Sequence, residues 1–130
     1  MAQGPYVVTG ASKGIGRAIS QQLAAQGYPV LALARPSRDL DEIGEELALC
    51  CPGSFAIACD LSQPNDIKQA AERICQHFPW IAGLVHNAGT IFPVSPLAQI
   101  EINDWSHSID VNLVGVQDLT QRLMANMGGA

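Results

Sequence analysis

The stretch PYVVTGASKGIG, residues 5–16, passes from a β-branched apolar run into a glycine-rich turn and then into helical periodicity. Residues 5–9 have the composition of a short buried strand. From Gly14 onward Ile15, Ala18, Ile19 and Leu23 recur at helical spacing, and the run stops at Gly27, where a helix-closing glycine belongs. Gly10 permits a tight turn, Gly14 removes a side chain where a pyrophosphate would approach, and Gly16 lets the helix lie close to the strand. The helix start adds free N–H groups and a partial positive charge. Thr9, Gly10, Ser12, Lys13, Gly14, Ile15 and Gly16 are therefore the first candidate dinucleotide-binding residues. Three residues separate the first two glycines and one separates the last two, without the closing Lys-Ser or Lys-Thr of a P-loop, which disfavours triphosphate hydrolysis.

The same rhythm continues outward. PVLALA (29–34) reads as a second strand, and after PSRD a helix carrying Ile43, Leu47 and Leu49 runs to the Pro52-Gly53 turn. SFAIAC (54–59) is a third strand ending on Asp60. Pro64 suits a first helical turn, and Ile67, Ala71, Ile74, Cys75 and Phe78 mark one apolar face of a helix ending near Pro79. IAGLVH (81–86) is a fourth strand leading into Asn87-Ala88-Gly89. After a loop with Pro93 and Pro96, Asn103 is placed to cap a long amphipathic helix, 103–127. Its stripe is Trp105, Ile109, Leu113, Val116, Leu119 or Thr120, Leu123 and Met127, before the Gly128-Gly129 break. Strands alternating with helices predict an α/β fold: a Rossmann-type doubly wound parallel sheet with strand order 3-2-1-4 and right-handed crossovers. A ligand crevice then opens at the carboxyl ends of the first and fourth strands. Residues 1–130 read as one such domain, incomplete because it stops before an expected fifth strand.

Composition narrows the partners. Of 130 residues 48% are hydrophobic and 15% charged, which suits strands covered on both faces. A net charge of -5 with no basic run argues against nucleic acid or an anionic membrane surface. No apolar run approaches the ~20 residues of a membrane span. Cys50, Cys51, Cys59 and Cys75 form neither a Cys-x-x-Cys pair nor a metal-ligand set with histidine, and the N-terminus lacks a signal-peptide pattern, so a reducing cytoplasm is expected.

The turn TGASKGIG resembles the cofactor turn of the short-chain dehydrogenases/reductases, and three further matches carry the resemblance along the chain: Asp60 after the third strand, Asn87-Ala88-Gly89 after the fourth, and Asn112 in DVNLVG. The resemblance implies that Asp60, with Leu61 beside it, meets the adenine amino group, and that Asn87, Ala88 and Gly89 support the central strand and line the ribose. It implies that Asn112 anchors a water in a proton relay; the bland reading is a buried asparagine bonded to backbone. The common family form is Asn-Asn-Ala-Gly; here His86 takes the first place, with its side chain expected to face into the sheet. Taken alone, Asp60 also suits a helix cap.

NADP is expected over NAD. Where NAD-preferring dehydrogenases carry an acid at the end of the second strand, this chain has Ala34 followed by Arg35, and Lys13 precedes the second glycine. Both cations suit a 2′-phosphate, at about 1.5–3 kcal/mol per charge-assisted contact, and no acid stands at that place to repel it. The family's catalytic serine and Tyr-x-x-x-Lys pair are missing: Tyr6 and Tyr28 are followed four places later by Gly10 and Ala32, and no serine, tyrosine or lysine follows Asn112. The resemblance thus implies an NADP(H)-dependent oxidoreductase of a carbonyl or alcohol substrate, with this chain carrying the cofactor half and inactive alone. The loop TIFPVSPL (90–97) is similar to that of carbonyl reductases and names no substrate. The alternatives are a non-catalytic nucleotide-binding or interaction module and a gene fragment. The family also implies a homo-oligomer through the helix 103–127; a partner surface and a surface for a missing half read alike in sequence.

Overall fold

The computed structural model of the chain describes residues 4–128; Gly129, half of the expected terminal break, lies outside them. Four parallel strands, β1 (Tyr6–Thr9), β2 (Val30–Ala34), β3 (Phe55–Ala58) and β4 (Gly83–Val85), form one sheet in the order β3-β2-β1-β4. This is the doubly wound order expected from the sequence. Val7 pairs with Leu31 and Leu84, and Val8 with Ala32 and Val85, so the alternating pleat sends successive residues into opposite layers.

One layer holds Val7, Leu31, Leu33 and Ile57 against Ile67 and Ile74 of α3 (Pro64–His77) and Leu119 and Leu123 of α5 (Gly115–Leu123). The other holds Val8, Val30 and Ala32 against Ala24 of α1 (Gly14–Ala25) and Leu40, Ile43 and Leu47 of α2 (Arg38–Cys50). Each large aliphatic side chain so buried stabilises the fold by about 1.5–3 kcal/mol. Helix starts follow local chemistry. Ser37 Oγ accepts the Leu40 N–H at 3.1 Å to cap α2, and Pro64 opens α3 where a missing N–H costs nothing. Leu49, expected on the apolar face of α2, is 88% exposed, because it lies two residues past Leu47 and so points away from the Leu40-Ile43-Leu47 stripe.

The long helix expected over 103–127 is interrupted. Helix α4 (Ile102–Ile109) starts after Glu101, whose side chain makes no capping bond, rather than after Asn103, and a π turn at Asp110–Val114 separates it from α5. The Gly115 N–H bonds the Asp110 carbonyl across the wider turn. One extra residue in that turn shifts the helical phase. Leu119 and Leu123 are therefore fully buried while Trp105, Ile109 and Leu113 remain 47%, 41% and 63% exposed. What reads as one stripe in sequence is two faces. Gly115 is a contact point: a Cβ there would stand 2.2 Å from the Leu61 carbonyl oxygen, so the helix rests directly on the chain leaving β3.

Candidate functional site

A crevice of about 700 Å³ opens at the carboxyl ends of the strands. Each strand delivers one part of its wall: Thr9, Gly10, Ser12 and Lys13 after β1, Arg35 after β2, Asp60 and Leu61 after β3, and Asn87, Ala88 and Gly89 after β4. All ten were candidates in the sequence. Gly14, Ile15, Gly16 and Asn112 lie outside the lining, with Ile15 73% exposed. The wall also includes residues that sequence reasoning left out: Pro36 and Ser37 opening α2, Cys59 ending β3, Thr90, Ile91 and Phe92 beyond the Asn-Ala-Gly segment, and His107 and Val111, one helical turn apart. The available signal for most of them was adjacency to a strand's carboxyl end.

The turn and the β4 exit are locked to each other. Thr9 is 1% exposed, and its Oγ1 accepts the main-chain N–H groups of Asn87 and Ala88, each at 3.1 Å. Asn87 Nδ2 returns a bond to the Gly10 carbonyl at 3.1 Å. Thr9 Oγ1 also donates to the Val85 carbonyl at 3.5 Å, so one buried hydroxyl ties the end of β1 to the end of β4 and the segment beyond it. Gly10 has φ +62, and a Cβ there would lie 2.9 Å from the Ala88 Cα; a Cβ at Gly16 would lie 2.2 Å from the Gly10 carbonyl oxygen. Side chains at either place would push the walls apart. Gly14 differs: its φ is +55, but a Cβ there would meet nothing within 4 Å, so the turn is open at that point.

Asn112 has its side chain committed to the loop after β4. Oδ1 accepts the Thr90 N–H at 2.8 Å, and Nδ2 donates to the Thr90 carbonyl at 2.7 Å and to Ser108 Oγ at 3.2 Å. The bond to the main chain is that of the bland expectation, whereas the burial is not. Asn112 is exposed rather than buried, yet its amide pairs with the main chain as a neighbouring strand would. His86 also departs from expectation. Edge strand β4 ends at Val85, so His86 lies past the sheet, exposed, with Nε2 2.7 Å from Thr120 Oγ1. Thr120 donates its own proton to the Val116 carbonyl, so His86 Nε2 is the donor to Thr120. Desolvation holds the imidazole pKa below its ordinary value.

Several charged side chains line the crevice or stand beside it. Asp60 does not cap α3, which starts from Gln63; its Oδ1 accepts the Ser62 N–H at 2.9 Å and the Ser62 hydroxyl at 2.7 Å. Burial pushes its pKa up, but the Ser62 side-chain bond, the Ser62 main-chain bond and the nearby Arg35 and His107 charges together hold it below the ordinary carboxylate value. Arg35 has no carboxylate within 4 Å among the described residues, whereas Lys13 Nζ stands 3.5 Å from Asp39 Oδ2. No acid ends β2, which closes on Ala34, and the acid near Lys13 is Asp39, which α2 brings in from outside the crevice wall. Burial, with Asp66 and Asp60 nearby, pushes the Cys59 thiol up to about 12, so it is a neutral lining group and no nucleophile at neutral pH.

The model of the family described as short chain dehydrogenase matches residues 6–130. The chain belongs to the short-chain dehydrogenase family. Similar proteins include the 3-oxoacyl-(acyl-carrier-protein) reductase FabG of Staphylococcus epidermidis, 35% identical over 93% of this chain and 50% of the relative. A serine 3-dehydrogenase of Rhizobium radiobacter is 28% identical over 95% of this chain and 49% of that protein. Among solved structures, a metagenomic short-chain oxidoreductase in complex with NADP superposes with a TM-score of 0.86 at 31% identity, covering 93% of this chain and 54% of that one. The short-chain dehydrogenase chain thus spans about half the length of the curated relatives it matches. No described helix is long and apolar enough to cross a membrane.

A dinucleotide fits the crevice of this short-chain dehydrogenase on its own chemistry. The open face at Gly14 leaves room beside the amides that start α1, the natural seat of a pyrophosphate. Arg35 and Lys13 give one end of the crevice positive charge, and Asp60 keeps a carboxylate available to an amino group.

Proposed function

We propose that this chain is the cofactor-binding portion of an NADP(H)-dependent oxidoreductase acting on a carbonyl or alcohol substrate. The observation that carries the reading is that Arg35 and Lys13 both line the crevice, with Ala34 rather than an acid ending β2. When bound, the nicotinamide would supply or accept the hydride. The chain's own residues bind and orient: the α1 amides take the pyrophosphate, Arg35 and Lys13 the 2′-phosphate, Asp60 and Leu61 the adenine, and Asn87, Ala88 and Gly89 the ribose. The NADP complex of the metagenomic relative supports this reading.

No serine, tyrosine or lysine follows Asn112 in the sequence, and neither tyrosine is followed four residues later by lysine. On this reading residues 1–130 supply the cofactor contacts and not the family's serine and Tyr-x-x-x-Lys pair. Its four free cysteines fit a reducing compartment such as the cytoplasm. Isothermal titration with NADP and NAD tests the cofactor assignment. Arg35→Ala removes one charge-assisted contact and weakens NADP about ten- to a hundredfold while leaving NAD nearly unchanged; equal losses for both would overturn the assignment.

Exposed apolar side chains favour a second reading, an interaction module. Ile91, Phe92, Val94 and Leu97 in the loop after β4 and Ile102 and Leu113 beyond it are all more than 60% exposed. Analytical ultracentrifugation is expected to show self-association if that reading is right, and a monomer at high micromolar concentration would count against it.

A further inference from the structure

We infer that Asp39 is a specificity-determining positioning residue: by holding Lys13 it restrains the preference of the crevice for a 2′-phosphate. The inference rests on the NADP(H) reading above and deepens it. Lys13 and Arg35 both line the crevice, but only Lys13 is ion-paired, its Nζ 3.5 Å from Asp39 Oδ2. Asp39 is in the first turn of α2 and does not line the crevice itself. It acts through its partner.

The pair is held in a fixed frame. Arg17 Nη1 donates to the Ser12 carbonyl at 3.2 Å and to the Asp39 carbonyl at 3.4 Å, so one guanidinium ties the glycine turn to the start of α2. Arg17 Nη2 is held by Glu46 Oε2 at 3.2 Å, and Glu46 Oε1 in turn accepts from Gln21 at 2.9 Å. Lys13 and Asp39 thus project from two segments whose separation is fixed by this network.

A phosphate arriving beside Lys13 must share its ammonium with Asp39 and also sits near the Asp39 charge. A ribose 2′-hydroxyl meets neither opposition. Asp39 therefore opposes NADP selectively at Lys13, whereas Arg35 feels the Asp60 charge but forms no ion pair within 4 Å among the described residues and is left as the less restrained phosphate group. The pair is solvent-exposed, 76% and 44% for the two side chains, which keeps the effect modest: about three- to tenfold in affinity at low salt, fading as salt screens it.

The test is isothermal titration of NADP and NAD into the parent chain, Asp39→Asn, Asp41→Asn, Lys13→Ala and the Lys13→Ala/Asp39→Asn double variant. Asp41 shares the first turn of α2 and makes no ion pair, so Asp41→Asn changes the same net charge near the same helix end. Asp39→Asn is expected to tighten NADP about three- to tenfold with NAD within about twofold, Asp41→Asn to change neither, and the gain to vanish when Lys13 is alanine. Asp39→Ser, which keeps an acceptor near the helix start, replaces Asp39→Asn should the latter not fold. If the parent prefers NADP and Arg35→Ala abolishes the preference, but Asp39→Asn changes nothing or matches Asp41→Asn, the inference is wrong and the cofactor reading stands. If the parent shows no preference, an NADP preference created by Asp39→Asn supports the restraint; its absence overturns the inference together with the reading.

Discussion

Thr9→Val isolates the bond that joins the two walls of the crevice. The substitution keeps the branched shape of a residue that is 1% exposed and removes its hydroxyl, which accepts the Asn87 and Ala88 N–H groups and donates a longer bond of 3.5 Å to the Val85 carbonyl. Each buried amide left without a partner costs about 1–3 kcal/mol. Asn87 and Ala88 are only half-buried, so water relieves part of that cost, and a net loss of about 2–4 kcal/mol is expected for the pair. At about 3–5 °C per kcal/mol for a domain of this size, thermal unfolding by circular dichroism should begin some 6–20 °C earlier. Thr9→Ser is the control. It keeps the acceptor, drops one methyl, and should cost about 1 kcal/mol. Because the lesion lies where the walls meet rather than at Arg35 or Lys13, any binding of NADP and of NAD should weaken together. The reasoning fails if valine and serine variants unfold alike within about 1 kcal/mol of the parent.

Gly115→Ala should destabilise the chain by about 1–3 kcal/mol, because its Cβ would overlap the Leu61 carbonyl; urea unfolding checks this, and a change below about 0.5 kcal/mol would show that the helix can lift off at no cost. His86 gives a pH signature. Its folded pKa is depressed from the ordinary 6.5 by desolvation, so its contribution is complete above that value and is lost as pH falls through the folded value. Stability of the parent should decline across that window, and His86→Asn, which cannot titrate, should flatten this part of the profile.

Much of the fold was legible because its demands are local. The turn at residues 9–16 needs glycine where φ is positive and where Gly16 backs onto the Gly10 carbonyl, and only a few sequences meet both conditions so close together. The strand order followed from the βαβ rhythm, and the carboxyl ends of the strands located the crevice. The hidden parts depend on contacts between residues distant in sequence. The π turn was invisible because a single added residue does not erase an apolar pattern; it divides it into two faces, as Leu113 and Leu119 show by their opposite burial. Asp39 could be seen in the first turn of its helix but not beside Lys13, since that proximity comes from the packing of α2 against the glycine turn. His86 was misplaced because the sequence marks a strand without saying where its pairing stops.

The position of β4 at the sheet edge sets up a gradient of local opening. Strand β1 is flanked by β2 and β4, whereas β4 is three residues long and pairs with β1 alone. Amide exchange should therefore be slowest in β1 and faster in β4 and the segment behind it, where Thr90 depends on the Asn112 side chain. The crevice spans this boundary, one wall on a strand paired on both sides and the other on a strand paired on one. A ligand touching both acts as a splint: it lends the slow-opening wall's protection to the fast-opening one.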